Sequence, residues 1–442
     1  MDKEKNDRTG WRPSRYNMFA QIPGSNRVAC TNVFNGSFAV YSKEELYLLS
    51  EVESLCMDHP IIEHFRKRGS IVNFDELKAL DAMGRLSSAS IPFVNLTICP
   101  TMECNFRCPY CYVSEGKVEG IMSSGVQDDI LGLAERMVDT SRAKTLAVRW
   151  YGGEPLLAPS VIENLSTRLM KLAESRGIGY KAWMFTNGYL LTQDIADMLG
   201  RCKVEKVYIT LDGIGSVHDR TRPLAGGGSS FDRILRNLRD QKLPFHVNVR
   251  HNLHDGNKDQ AEKLKKLIRQ IAEESKNDLQ YYGADVRDYY SEVKGVQMLS
   301  AEDYSDLVTE RYGGHISRSH GIHCDANTMW SVGVNPKGRL FKCWEFPNDD
   351  RMSFGSAATW KPEDPIGTAD QPDEFTKYFT DFLPLQDPKC RECKWLPVCL
   401  GQCAVLRFRH EGHCFFWKGR EEEYVLSIYR RMLRENKLKK IR

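Results

Sequence analysis

The chain has 442 residues, 41% of them hydrophobic and 27% charged, with a formal net charge of +3. That length builds two or three domains with substantial cores, and so small a charge excess argues against a nucleic-acid partner. No apolar run reaches membrane-spanning length and the opening MDKEKNDRTG is polar, so the reading is no membrane segment, no signal peptide and a cytoplasmic location; there, fourteen cysteines point to metal ligation and not to disulfides.

Residues 15–23 and 27–41 read as short strands, with Asn35-Gly36 as a hairpin turn. Ser42-Lys43-Glu44-Glu45 is a capping-box pattern ahead of Leu46, Leu48 and Leu49, so a helix starts there. Two further helical stretches follow at 59–68 and 74–86. Three strands and three helices in residues 1–90 predict a small module of winged-helix type.

From residue 93 to about 287 the patterns alternate, which predicts an α/β region of parallel strands with crossover helices. Strands are expected at 93–98, 145–150, 180–185, 206–211, 245–250 and 281–286. Helices are expected at 126–138, 161–173, 193–199, 231–238 and 258–274; the first places Val126, Ile130, Leu133 and Met137 on one face. Six β/α units are too few for a closed eight-stranded barrel.

The chemistry-bearing residues fall at the ends of these strands, where such folds build their sites. After the first strand comes Cys104-Asn-Phe-Arg-Cys108-Pro-Tyr110-Cys111. Three thiolates can hold an iron–sulfur cube and leave one iron open to a ligand. Zinc with a fourth ligand from elsewhere, or unmodified core cysteines, are the alternatives. After the second strand comes Gly152-Gly153-Glu154-Pro155, where glycines let backbone approach a ligand and a carboxylate can pair with an ammonium. Thr186-Asn187-Gly188 follows the third strand. Leu211-Asp212-Gly213 ends the fourth, and His218-Asp219-Arg220-Thr221-Arg222 follows, offering a planar guanidinium for a carboxylate. Gly226-Gly227-Gly228 lacks the Lys-Ser/Thr of a phosphate cradle and reads as a loop.

Between Cys202 and Cys324 there is no cysteine; then seven arrive. Cys324 and Cys343 stand apart, with Gly338 five residues before the latter. Cys390, Cys393, Cys399 and Cys403 are closely spaced, and Cys414 ends the series. A zinc knuckle is the alternative reading of the CX2C pair. Cys30, Cys56, Cys99 and Cys202 fit no pattern and read as small buried hydrophobes. Trp344, Trp395, Tyr281 and Tyr282 are candidates to line a cavity, although aromatics are often core. The segment 418–442 is locally basic, nine Lys/Arg against four Asp/Glu, and reads as a solvated helix face.

The CX3CX2C spacing, with Tyr110 just before the last cysteine, resembles the radical SAM signature. With Gly152–Pro155 one β/α unit later, the resemblance extends to a partial (β/α)6 radical SAM barrel over residues 91–310. The seven later cysteines resemble the cysteine-rich SPASM extension, here over 311–442. The resemblance implies that Cys104, Cys108 and Cys111 bind a [4Fe–4S] cluster whose open iron chelates S-adenosyl-L-methionine. It implies that Gly152, Gly153, Glu154 and Pro155 hold the methionine amino group, with cofactor contacts from Tyr110, Thr186, Asn187 and Asp212, and with Arg222, in preference to Arg220, on the carboxylate. It carries over two auxiliary [4Fe–4S] clusters, one on Cys324, Cys343 and Cys403, the other on Cys390, Cys393, Cys399 and Cys414. The first set is one ligand short: either His323 or Asp325 completes it, or the position is open to a substrate group.

Residues 1–90 resemble the peptide-recognition element of radical SAM maturases, in which the leader of a ribosomally made precursor adds a strand to a sheet edge. The expected activity is oxidative modification of that peptide by crosslink, thioether or ring formation, with an external electron donor of flavodoxin or ferredoxin type. The alternative enzyme reading is a sulfatase maturase making formylglycine. Those enzymes carry an Asp just after the cysteine equivalent to Cys343; here Trp344 stands there, followed by Glu345. A peptide-binding iron–sulfur scaffold without turnover is the alternative of another class.

Overall fold

The computed structural model describes residues 10–56, 58–89, 93–111, 113, 120–286, 296–300, 303, 324–364, 373–409, 414–415 and 417–435. His323 and the expected boundary at 310/311 lie outside them. The chain forms two compact units, one from residues 1–90, 300–323 and 382–442, the other from 91–299 and 324–381.

The first unit begins with β1 (Arg12–Pro13), β2 (Asn17–Gln21), β3 (Val28–Asn32) and β4 (Phe38–Tyr41), followed by α1 (Lys43–Ser50), α2 (Pro60–Lys67), β5 (Ile71–Val72) and α3 (Glu76–Ala89). β2, β3 and β4 make an antiparallel meander, with β2 and β4 at its edges. The expected capping box starts α1: the Ser42 hydroxyl accepts the Glu45 N–H at 3.1 Å and the Glu45 carboxylate accepts the Ser42 N–H at 2.7 Å. One face of the meander packs Cys30, Ala39 and Tyr41 against Leu49, Ile62 and Phe65 of α1 and α2. The other packs Met18, Ala20 and Ala29 against Leu80 of α3 and against Trp417, Tyr424, Val425 and Ile428 from the end of the chain. Each fully buried Leu, Ile, Val, Phe or Met among these contributes roughly 1.5–3 kcal/mol. The first strands and the helix Glu421–Arg434 therefore share one core.

The second unit alternates β6 (Phe93–Ile98), α4 (Ser124–Ser141), β7 (Thr145–Trp150), α5 (Pro159–Ser175), β8 (Gly179–Thr186), α6 (Gln193–Arg201), β9 (Val204–Thr210), α7 (Ser216–Thr221), α8 (Phe231–Asp240), β10 (His246–Leu253), α9 (Ala261–Ser275) and β11 (Leu279–Asp285). β12 (Ser331–Val334), β13 (Arg339–Phe341) and β14 (Ser353–Ser356) follow. The six expected parallel strands stand side by side in chain order, β6 to β11. The sequence reading stops there, but the sheet does not. β12 adds parallel to β6, and β13 and β14 continue it antiparallel, making nine strands. These strands are three or four residues long. That is too short for a period-two pattern to stand out.

Side chains alternate across this sheet. Val94, Leu96, Leu146, Val148, Met184, Ile209 and Val249 pack with the helices in one core. The strand neighbours between them, including Thr97, Arg149, Trp183, Phe185, Tyr208 and Tyr282, face the opposite side, which among the described residues is free of α4, α5, α6, α8 and α9 and is called the helix-free side. That side is polar and aromatic, in contrast with the aliphatic helix side.

Candidate active site

The cysteine loop leaves the carboxyl end of β6. Cys104, Cys108 and Cys111 are all partly buried. The Cys104 sulfur accepts the Phe106 N–H at 3.4 Å, and the Cys111 N–H closes a turn on the Cys108 carbonyl at 3.1 Å. The loop is pinned against residues 223–225 by two backbone bonds of 2.8 Å, Arg107 N–H to Pro223 O and Ala225 N–H to Asn105 O. Burial, reinforced by the Glu154 carboxylate, pushes the Cys104 thiol up to about 11. Burial also pushes Cys108 up to about 12, against the lowering pull of Arg222. Both are thiols at neutral pH, and metal binding would have to expel their protons.

The Gly-Gly turn after β7 lies directly on this loop. Gly153 N–H donates to Thr101 O at 3.2 Å and Glu154 N–H to Glu103 O at 2.8 Å. A Cβ on Gly152, which sits at φ +116°, would stand 2.4 Å from Thr101 O; one on Gly153 would stand 2.2 Å from Glu103 O. The close approach the glycines permit is thus to the cysteine loop itself.

Glu154 is fully buried. Its carboxylate accepts the Thr186 hydroxyl at 2.6 Å, the Asn187 N–H at 2.7 Å and the Leu156 N–H at 3.0 Å. Among the described residues no Lys or Arg pairs with it. Burial raises its pKa against those three donors. Asn187 also donates its side-chain amide to Asn105 in the cysteine loop at 2.7 Å. Thr186 and Asn187, expected as ligand contacts, are placed to orient Glu154 and the loop. Pro155 starts the short 3-10 turn Pro155–Leu157 that follows.

A second buried network stands behind the loop. The Tyr110 hydroxyl donates to the Asp212 carboxylate and accepts from Arg222 Nη1 at 2.8 Å and from Asn252 Nδ2 at 3.2 Å. Asp212 also accepts the Asn252 N–H at 3.1 Å, and Asn257 donates to its carbonyl at 3.0 Å. Burial raises both the Asp212 and the Tyr110 pKa. His218 accepts the Asp212 N–H at 3.2 Å, and burial, then Arg222, lowers it to about 3, so it is a neutral acceptor. Asp219 accepts the N–H groups of Ser230 and Phe231 at the start of α8, an N-terminal cap. Arg222 is 12% exposed and inside the network, whereas Arg220 makes only a 3.4 Å contact to Ser216 and is exposed.

Around the helix-free face an aromatic group gathers. Trp344 lies 5.0 Å from Tyr151 and 5.1 Å from Phe185, which stacks on Tyr208 at 4.5 Å; Tyr282 meets Tyr208 at 6.4 Å. Of the four candidate cavity aromatics, Trp344 and Tyr282 are here. Tyr281 points to the helix side, by alternation, and bonds His251. Trp395 is fully buried in the core of the first unit and donates to Glu421 at 2.8 Å. The sequence reading missed Arg149, whose guanidinium sits 4.8 Å from Trp344. An arginine inside an otherwise apolar strand, three residues before Gly152, was the available signal.

The later cysteines divide between the units. Cys324 and Cys343 are in the second, and Cys390, Cys393, Cys399, Cys403 and Cys414 in the first. Burial raises the pKa of Cys393 and of Cys399, and the neighbouring Cys390 and Cys414 sulfurs add to both shifts. Cations touch two of them: Arg407 donates to the Cys390 sulfur at 3.0 Å and Lys418 to Cys414 at 3.4 Å. Among the described residues no three His, Cys, Asp or Glu side chains close on a single ion. A cube distributes its ligands over separate irons, which a loop of spread thiols suits. Cys30, Cys99 and Cys202 are buried as expected, but Cys56 is exposed because its turn has no core to enter.

Residues 98–268 match the family model of the radical SAM superfamily. The cysteine-type anaerobic sulfatase-maturating enzyme of Clostridium novyi is 23% identical over 331 residues, 68% of this chain and 85% of that protein. The structure of native anSMEcpe with bound AdoMet and Cp18Cys peptide superposes with a TM-score of 0.60 at 20% identity, covering 78% of this chain and 98% of that one. Streptococcus suis SuiB bound to precursor peptide SuiA gives 0.51 at 16% identity, covering 91% and 97%. No helix among the described residues is long and apolar enough to cross a membrane. The parallel sheet, the thiol loop at its carboxyl end and the matched segment agree: residues 98–268 carry a radical SAM domain, and further cysteines follow it in the chain.

Proposed function

We propose that the protein is a radical SAM maturase that oxidatively modifies a residue of a ribosomally made precursor peptide. The observation that carries the radical chemistry is the pairing of a three-thiol loop with the buried Glu154 carboxylate, which no Lys or Arg pairs with among the described residues. Cys104, Cys108 and Cys111 hold the [4Fe–4S] cluster. When bound, cluster and S-adenosyl-L-methionine supply a 5′-deoxyadenosyl radical, which abstracts a hydrogen atom from the substrate. The protein's own work is placement. Glu154 offers the counter-charge to the methionine ammonium, held by Thr186 and Asn187, and Gly152, Gly153 and Pro155 keep that turn on the thiol loop. Arg222 offers its fork to the carboxylate, and Tyr110 with Asp212 fixes Arg222 and the loop. The polar and aromatic face around Arg149 and Trp344 is where a substrate side chain is held and water is excluded.

Cys390, Cys393, Cys399 and Cys414 hold one auxiliary cluster, with Arg407 and Lys418 offsetting its charge; Cys324 and Cys343 serve another. Such clusters can take the electron that an oxidised substrate radical gives up, and an external donor of flavodoxin or ferredoxin type supplies the first one. A peptide substrate is supported by the edge strands of the β2–β3–β4 meander, which suit strand addition by a leader, and by the likeness to SuiB over most of the chain. The identity to the Clostridium novyi enzyme favours formylglycine formation as the second reading. Trp344 packed on Arg149, where those enzymes place an Asp, weighs against it.

The test is anaerobic reconstitution with dithionite and S-adenosylmethionine. About twelve iron per chain and 5′-deoxyadenosine are expected. Changing Cys104, Cys108 and Cys111 to Ala should abolish deoxyadenosine and leave the remaining iron; surviving cleavage would overturn the assignment. A precursor encoded beside the gene should lose hydrogens and keep its sulfur, whereas formylglycine formation from Cys removes the sulfur. Leader binding that persisted after deletion of residues 1–90 would remove their recognition role.

A further inference from the structure

Arg149 projects from β7 onto the helix-free face and reaches two separate segments of the same unit. Its Nη1 lies 2.7 Å from Asp325 Oδ2 and donates to Thr97 Oγ1 at 3.2 Å. Its guanidinium carbon stands 4.8 Å from the Trp344 ring centroid and 6.0 Å from that of Trp183. Asp325 directly follows Cys324, and Trp344 directly follows Cys343. One guanidinium thus holds the neighbour of each cysteine. The residue before Cys343 completes the tie: Lys342 donates to Thr328 O at 2.5 Å and Ser331 O at 2.7 Å, in the segment that follows Asp325.

We propose that Arg149 is a positioning residue that fixes the segments of Cys324 and Cys343 to the helix-free face of the sheet, so that the group these thiols hold keeps a set place against the bound substrate. This rests on reading the two cysteines as ligands of an auxiliary iron–sulfur cluster. The geometry also gives Asp325 a partner other than iron. Its carboxylate is the anion of an ion pair in a partly buried setting, where a bidentate-capable guanidinium is a strong and oriented partner. Asp325 is therefore an indirect contributor, acting through Arg149, and not the missing ligand. Trp344 gains a fixed ring plane from the same contact, because a cation over an indole face restrains both.

The experiment uses the full chain with Cys104, Cys108 and Cys111 changed to Ala, so that only auxiliary clusters remain. In that background Arg149→Met and Asp325→Asn should each keep about eight iron per chain, as expected for two cubes. Each should also change the low-temperature EPR spectrum and the midpoint of one cluster. The double variant should be no worse than the stronger single one, because both remove the same pair. Arg149→Lys, which keeps charge but loses the planar fork, should restore the spectrum only in part. With the three cysteines intact, Arg149→Met should lower modified peptide formed per deoxyadenosine by roughly tenfold to a hundredfold, the cost of a small misplacement. Unchanged spectra in both variants would overturn the proposal, as would loss of about four iron in Asp325→Asn. Cys324→Ala separates the two levels: loss of about four iron upholds the ligand reading whatever Arg149 does, and no loss overturns that reading and the proposal with it.

Discussion

The two cysteine groups that lie each within one unit are built on opposite electrostatic plans. Around Cys104, Cys108 and Cys111 the nearest charges are mixed: the Glu154 and Asp212 carboxylates, with Arg222 bonded to the Tyr110 hydroxyl and not to sulfur. Around Cys390 and Cys414 the sulfurs themselves receive hydrogen bonds from Arg407 and Lys418. The second plan offsets the negative charge of a thiolate-bound cluster on the spot and leaves no spare carboxylate. The first leaves Glu154 buried, with the Arg222 guanidinium near enough to act on it but with no Lys or Arg paired to it among the described residues. Under the proposed function the difference separates their roles: the first group would be completed by a charged ligand, the second would be compensated already and suited to storing or passing an electron.

The sharpest way to break this contrast is to push the turn off the thiol loop. Gly153→Ala places a Cβ 2.2 Å from one backbone carbonyl and 2.4 Å from another, and backbone cannot swing away as a side-chain end can. Deoxyadenosine formation should fall by about a hundredfold or more. About four of twelve iron should be lost, as one cube, with the compensated group intact. Metal analysis together with mass spectrometry checks both halves. If all the iron were lost instead, the two groups would not be independent. The next effect belongs to the compensated group. Arg407→Met removes a cation held at 3.0 Å from Cys390 and anchored by Asp387. A reduced cluster is the more negative state, so removing the cation should lower the midpoint. A tenfold shift of a one-electron couple is about 59 mV. A midpoint unmoved in a redox titration would show that Arg407 serves packing alone.

The parallel sheet and its helices were legible because their signals are long and periodic. Six strands and five helices announce themselves by alternation and by apolar stripes, and the thiol loop by spacing. What was not legible depends on tertiary contact. The glycines of Gly152-Gly153 carry no mark that their neighbour is the cysteine loop. Thr186 and Asn187 do not say in sequence that they hold Glu154. Arg149 gains meaning only when Asp325 and Trp344 fold back to it from far along the chain. β12 to β14 are too short to show a period, and Trp395 looks the same in sequence whether it lines a cavity or fills a core.

A smaller effect is expected from Tyr110→Phe. It removes a hydroxyl that serves Asp212, Arg222 and Asn252 at once, and it leaves a fully buried carboxylate short of a donor. An unsatisfied buried group costs about 1–3 kcal/mol, more when charged. Chemical denaturation of the apo-protein should show a loss of at least that size. Cofactor binding should weaken several-fold, through the loosened Arg222. Full stability in the variant would mean that Asn252 and its neighbours satisfy Asp212 alone.

The smallest effect is a pH dependence of the metal-free protein, and its sign is the same for the buried thiols of both groups. Cys104 and Cys108 hold their protons in the folded apo-protein to about 11 and 12, whereas an unfolded cysteine releases its proton near 8.5. Between those values the folded state binds more protons than the unfolded one, so stability falls as pH rises. The contribution is complete below about pH 8.5 and is lost progressively up to the folded values. Cys30 and Cys399, pushed up to about 12 and 11 by burial, add slope of the same sign. Denaturation of the metal-free protein from pH 8 to 10.5 should therefore show a decline that Cys108→Ser reduces. An unchanged decline in Cys108→Ser would mean that burial does not hold this thiol's proton in the folded protein, and the account of the thiol loop would have to rest on Glu154 alone.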